Sequence, residues 1–230
     1  RHGAEVRLRT EVVGVPRTPA GRVAGVDLAD GSTLPAPVVV NAACGWGRVV
    51  ASWVGLNYSF RWSRESDLIV EMDGATGHLP WVSDSLLRQY FRGAGENQLL
   101  VGLGFPKEIE PLDIDDYDPD IDAAMRQRIF GLIEQRLAAA GALRFVRGWA
   151  SMYTITDDWH PMVGPEPGLQ GYYSCYGGSG HGFKLGPPIG EALAAIIAGR
   201  APKIDITPLR PTRFIEGAPL TSAWGDGNRA

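Results

Sequence analysis

The stretch YYSCYGGSGHGFKLGPPIGEALAAIIAG, residues 172–199, reads as a strand, a glycine loop and a helix in direct succession. The run to Tyr176 is aromatic-rich, as strands are. Four of the six residues from Gly177 to Gly182 are glycine, which strips side chains from one side of the loop. Backbone N–H groups there can point at a ligand, and the helix N-terminus behind them adds partial positive charge. Lys184 adds a full one. Such a site suits a ligand that carries or develops negative charge. Pro187 is expected in the first turn of the helix. Ile189, Leu193, Ile196 and Ile197 share its apolar face, and Gly199 stops it. The pattern is not GxGxxG, because Phe183 falls where the third glycine belongs, and no Gly-Lys-Ser/Thr of a phosphate loop occurs. A tight strand-to-helix turn without a ligand is the other reading of the same residues.

Upstream, Val6, Leu8 and Val12 alternate with charged residues and predict a half-buried strand. Val23, Val26 and Leu28 predict a second one, closed by a turn at Asp30-Gly31. Val38-Val39-Val40 fits a strand covered on both faces and runs into Asn41-Ala42-Ala43-Cys44-Gly45-Trp46-Gly47, small residues that admit a close neighbour. Residues 67–72 and 98–103 predict further strands, with a longer polar region containing aromatics from His78 to Arg92 between them. Asp118 and Pro119 predict a helix start, Ile121, Met125, Ile129, Leu132, Ile133 and Leu137 its buried face, and Gly141 its end. Phe145 to Tyr153 predicts a strand. From Pro202 an extended tail is expected.

The chain has 230 residues, 44% of them apolar and 21% charged, enough for one large domain or parts of two with a sizeable core. A net charge of -4 and a pI near 5.6 weigh against nucleic acid or an anionic membrane as partner. No apolar run approaches the roughly 18 residues of a membrane span. Cys44 and Cys175 lie far apart, neither in a CxxC, and no histidine is spaced for zinc. They read as small core residues in a reducing, cytoplasmic setting. The acidic run from Asp116 to Asp120 departs from a calcium loop: Pro119 interrupts it, Ile121 replaces the needed glycine, and Gln127 stands where the bidentate glutamate belongs. No metal is expected. The chain opens on Arg1 without a signal-like segment and runs straight into a strand pattern, which reads as a truncated chain, a cleaved product or a fragment.

Four segments resemble the D-amino-acid oxidase and sarcosine oxidase superfamily of FAD-dependent oxidoreductases. Ser151 to His160 resembles the strand and turn facing the flavin in sarcosine oxidases. Gly178-Ser179-Gly180-His181-Gly182-Phe183-Lys184 resembles the loop under the flavin pyrimidine. Val39 to Trp46 resembles the strand end beside the FAD, and Pro208 to Phe214 the closing segment. The resemblance implies a flavin that takes a hydride from the carbon next to an amine nitrogen. It implies FAD contacts from Gly45, Trp46, Ser151 and residues Gly178 to Lys184, with Lys184 also near the substrate carboxylate. Tyr153 matches the family's active-site tyrosine; glycine and D-amino-acid oxidases carry an arginine there. Ser151 stands where monomeric sarcosine oxidases have the cysteine that bonds the flavin, so FAD is expected to be non-covalent by this route. Packed or surface roles remain open for these residues: a strand tyrosine, a satisfied buried His181, a solvated Lys184. His160 and Asp158 are expected to cap a turn, and Arg147 to form an ion pair elsewhere.

The family's Gly-rich dinucleotide unit does not occur in these residues. The expected fold is therefore α+β: a mixed or antiparallel substrate-domain sheet with covering helices, plus an incomplete, Rossmann-like FAD-binding domain. Residues 1–50 and 149–201 would belong to the FAD domain, 51–148 to the substrate domain and 202–230 to the tail. The partners expected are a small amine or amino-acid substrate of sarcosine type and a missing N-terminal FAD-binding segment, or a separate subunit supplying it. A binding or scaffold module without redox chemistry is the rival reading.

Overall fold

Turn chemistry and alternation fix most elements. In chain order these are β1 (Val12–Gly14), β2 (Gly25–Leu28), β3 (Thr33–Pro35), β4 (Val39–Asn41), α1 (Gly47–Ser52), β5 (Arg61–Met72), β6 (Val82–Asp84) and β7 (Gln89–Gly93). There follow β8 (Gln98–Leu103), α2 (Ala123–Arg136), β9 (Leu143–Ile155), β10 (Met162–Pro165), β11 (Tyr172–Tyr176) and α3 (Gly182–Ile197). The computed structural model describes residues 3–221 except Gly77, His78, Phe105, Pro106, Glu108, Glu110, Ala139 and Ala140. The described residues divide into two compact units, 3–61 with 154–221 and 62–153.

The first unit holds two three-stranded sheets, ordered β1-β2-β3 and β10-β11-β4. The turn between β2 and β3 forms where expected. Gly31 adopts φ +85°, and the Asp30 carboxylate accepts from the Ser32 amide at 2.9 Å. The first strand, however, begins only at Val12, where pairing to Leu28 starts; Val6 and Leu8 stand 80% and 81% exposed. Strand β4 pairs with β11 alone in its sheet, and Val40 is exposed, so it is not covered on both faces. Tyr172 and Val23 belong to one apolar cluster; Met162, Tyr176, Tyr58 and Phe60 form a second. Ile189 and Leu193 of α3 pack with Val163 and Ile206 in a third.

Over its described residues, 202–221, the tail is not extended throughout. Residues 207–209 and 211–213 form short 3-10 turns, and Arg213 is fully buried. Its guanidinium donates to Asp158 Oδ2 at 2.7 Å and Oδ1 at 2.9 Å, to the His160 carbonyl at 2.8 Å, and to the Leu209 and Arg210 carbonyls. The Leu220 amide also donates to Asp158. The part of the tail from Ser222 onward lies outside the described residues.

The second unit is a five-stranded sheet, β6-β7-β8-β5-β9, with α2 on one face. Leu68, Val70, Phe91, Leu99 and Val101 meet Ile129 and Ile133 of α2. The polar stretch ending at Arg92 contains a hairpin that its composition does not announce: β6 and β7 are joined by a turn whose Leu86 and Leu87 amides donate to Asp84. His78 lies outside the described residues. Helix α2 starts four residues later than Asp118-Pro119 indicates. The Asp118 carboxylate caps Asp120 instead, the Pro119 carbonyl accepts from Ala150, and Asp122 becomes the N-cap, accepting from Met125 at 2.8 Å. The helix also ends at Arg136, ahead of Gly141.

Candidate active site

The glycine loop is built on contacts that only glycine permits. Gly177 has φ +71°, and a Cβ there would lie 2.6 Å from Thr156 Cγ2 and 3.1 Å from Phe60 Cε1. Gly178 backs onto Gly182, with a built Cβ 3.0 Å from its Cα. Replacing Gly177 with alanine combines left-handed strain with overpacking, for an expected loss of about 2–4 kcal/mol. A denaturant midpoint within error of wild type would show that the loop is not so constrained.

Several loop groups are committed to the protein itself. The Ser179 amide donates to the Thr154 carbonyl at 3.0 Å, and the His181 amide to the Gly178 carbonyl at 2.7 Å. Ser179 is buried; its hydroxyl donates to the Gly177 carbonyl and accepts from the Thr156 amide at 3.3 Å. His181 is buried too. What remains is the start of α3, which begins inside the loop at Gly182. Pro187 and Pro188 therefore sit in the second turn, not the first. An α-helix leaves its first N–H groups without intrahelical acceptors. The amides of Gly182, Phe183 and Lys184 meet no acceptor among the described residues. A Cβ built on Gly182 meets nothing within 4 Å, Phe183 is wholly exposed, and Lys184 is exposed beside them. Gly180, at φ +82°, is exposed as well. Donors and a cation facing open space fit an electron-rich flavin edge.

The end of β4 and the start of α1 lie against β11, the strand that leads into this loop. Asn41 donates to the Gly47 carbonyl at 2.8 Å and to Tyr172 Oη at 2.9 Å, which pins β4, the start of α1 and β11 together. Gly47 is the close neighbour expected of the small residues: a Cβ there would sit 2.6 Å from the Tyr176 ring. Gly45 is buried and Trp46 is 42% exposed. Cys44 is exposed, contrary to a core role, at φ +47° and with its sulfur 4.0 Å from Thr154 Oγ1. Cys175 is half-buried, and burial pushes its thiol pKa up.

Beneath the loop's strand lies a polar network that sequence reading missed. Tyr58 donates to Glu166 Oε2 at 2.7 Å and Ser174 to Oε1. Burial raises the Glu166 pKa and pushes Tyr172 up to about 12. Asp158 and His160 do cap a turn, with the His160 amide donating to Asp158 at 3.1 Å. Arg147 stacks over the Trp149 ring at 5.0 Å, where an ion pair was expected.

Ser151 and Tyr153 lie on β9 in the other unit. Ser151 is exposed; Tyr153 is half-buried under Lys107, whose Nζ is 5.3 Å from the ring centre.

The family model described as FAD dependent oxidoreductase (DAO) matches residues 1–196. The chain belongs to this family. FAD is the cofactor of the family. Among curated relatives, this DAO chain is 27% identical over 207 residues to the FAD-dependent oxidoreductase domain-containing protein 1 of Bos taurus, covering 78% of the chain and 40% of that protein. It is 25% identical over 221 residues to the D-amino acid dehydrogenase of Xanthobacter autotrophicus, covering 95% and 50%. The crystal structure of L-proline dehydrogenase from P. horikoshii superposes with a TM-score of 0.78 at 25% identity, covering 90% of the DAO chain and 54% of that one. The chain thus spans about half the length of the relatives it matches. The α+β architecture agrees with that of DAO-family enzymes. Among the described residues, no helix is long and apolar enough to cross a membrane.

Proposed function

We propose that the protein oxidises the C–N bond of an amine or amino acid, with hydride transfer to a non-covalently held FAD. One observation carries this reading: three unclaimed amides and Lys184 converge at the start of α3, in a chain whose family uses FAD. FAD would supply the two-electron acceptor. Residues Gly182 to Lys184 would hold its N1–C2=O edge and offset the negative charge that gathers there. Gly45 and Trp46 would flank it. The buried Ser179 and His181 would hold the loop's shape rather than touch the ring through their side chains.

Secondary amino acids of N-methyl or cyclic type are the proposed substrates. Tyr153 replaces the arginine that clamps a carboxylate in glycine and D-amino-acid oxidases, and the structurally similar L-proline dehydrogenase is named for a secondary amine. Since no GxGxxG occurs in the 230 residues, polypeptide outside this sequence would grip the nucleotide end, as an upstream segment or a partner subunit.

Anaerobic addition of a panel of N-methyl amino acids and proline to the FAD-loaded protein is expected to bleach the oxidised flavin band. A spectrum untouched by every amine and amino acid tried would end this reading.

A further inference from the structure

The sheet of the 62–153 unit has two unlike faces. Leu68, Val101 and Phe91 form one rank across β5, β8 and β7 and point to α2. The adjacent rank is Asp67, Gly102 and Tyr90, which alternation sends to the opposite face. Within this unit α2 is the one helix among the described residues, so no helix of the unit covers that second face. Yet it carries side chains that are costly to bury. Tyr90 donates to Asp67 Oδ1 at 2.5 Å. A Cβ on Gly102 would collide with both groups, so glycine at this position is what lets them meet.

The cluster continues to Tyr153. On β9, Gly148 faces Leu68 and Ile121, which sends Tyr153 to the Asp67 side by alternation. Lys107 pairs with Glu65, two residues from Asp67 on β5, and its Nζ lies 5.7 Å from the Tyr90 ring centre and 5.3 Å from that of Tyr153. Trp81 stacks on Tyr90 at 4.8 Å and is 57% exposed. Glu65 and Lys107 offset each other. Asp67 has no ion-pair partner among the described residues, and the electron-rich ring of Tyr90 lies beside it. That arrangement suits a cation.

We propose that Asp67 receives the protonated amine of the substrate and takes its proton, with Tyr90 positioning the carboxylate. The proposal rests on the amine-oxidising function above. Hydride can leave the neighbouring carbon readily only when the nitrogen has a free electron pair. In the step, one N–H bond of the ammonium breaks, its electrons stay on nitrogen, and the proton passes to the Asp67 carboxylate and later to water. Nothing is oxidised or reduced. The groups acting on Asp67 are Tyr90 and Arg92 on β7 and Lys107 after β8, while Glu65 and Tyr153 act on Tyr90. Burial raises the Asp67 pKa, against lowering by Tyr90, Lys107 and Arg92, which brings it closer to that of a proton acceptor working near neutrality.

The test compares wild type, Asp67→Asn and Tyr90→Phe, each as the complete FAD-loaded holoenzyme that includes the polypeptide gripping the nucleotide end. In D67N, flavin reduction by an N-methyl amino acid is expected to slow about 100-fold at neutral pH and to recover as pH rises past the amine's own pKa. Glycine betaine, which is permanently cationic and cannot lose a proton from nitrogen, should bind about tenfold more weakly, read from its perturbation of the flavin spectrum. An active wild type alongside a D67N protein with the same pH profile and betaine affinity overturns the proposal. Should D67N not fold, Y90F decides: it keeps the charge but removes the hydrogen bond, so the pH midpoint of reduction must move, and an unmoved midpoint overturns the proposal. A wild type that no amine reduces sinks the functional reading instead.

Discussion

Replacing Arg213 with methionine is expected to cost the folded chain about 3–5 kcal/mol, because removing one partner of a buried ion pair strands the other charge. Both side chains are almost wholly inaccessible, at 0% for Arg213 and 2% for Asp158. Methionine fills part of the volume but offers nothing to Asp158 or to the carbonyls of His160, Leu209 and Arg210. The cation–aromatic contact to Phe214, at 4.2 Å, also goes. The pair should show in the pH dependence. Burial pushes the Asp158 pKa up, but hydrogen bonds from Arg213, Leu220 and His160 outweigh it, and the net shift is downward. A depressed carboxylate stabilises the fold above its unfolded pKa, and that contribution is lost as pH falls through the folded pKa. The gap between wild type and Arg213→Met in urea unfolding should therefore narrow on acidification. A gap below about 1 kcal/mol at neutral pH would mean that the tail does not anchor the turn.

Lys184→Met in the FAD-loaded protein should slow flavin reduction about 100-fold, the scale of losing one stabiliser of developing negative charge. The side chain is exposed in the first turn of α3, so its removal should change stability by no more than about 0.5 kcal/mol. Rate and stability are thus separable. Slow reduction with an unchanged unfolding midpoint is the expected pair of results. Unchanged reduction kinetics would remove Lys184 from the site.

Most local structure was legible because it depends on near neighbours. Asp30-Gly31 makes its turn from adjacent atoms, Gly199 ends α3 at φ +67°, and Ile129 and Ile133 are buried by helical spacing. Where distant residues compete for the same backbone groups, the reading slipped. Asp118-Pro119 looks like a helix start until Ala150 claims the Pro119 carbonyl, and Val6 looks like a strand until it is seen to have no pairing partner among the described residues.

The site divides in the same way. Sequence alone determined the family and the glycine loop running into a helix, and it marked Lys184, Tyr153 and Ser151 by their resemblance to family motifs, because each is a matter of residue type and spacing along the chain. Tertiary structure decided which loop amides stay open, that Arg213 closes on Asp158 across 55 residues, and that Asp67, Gly102 and Tyr90 share one rank. Those facts depend on strand register and on which donor reaches which acceptor first, and neither is written in the order of residues.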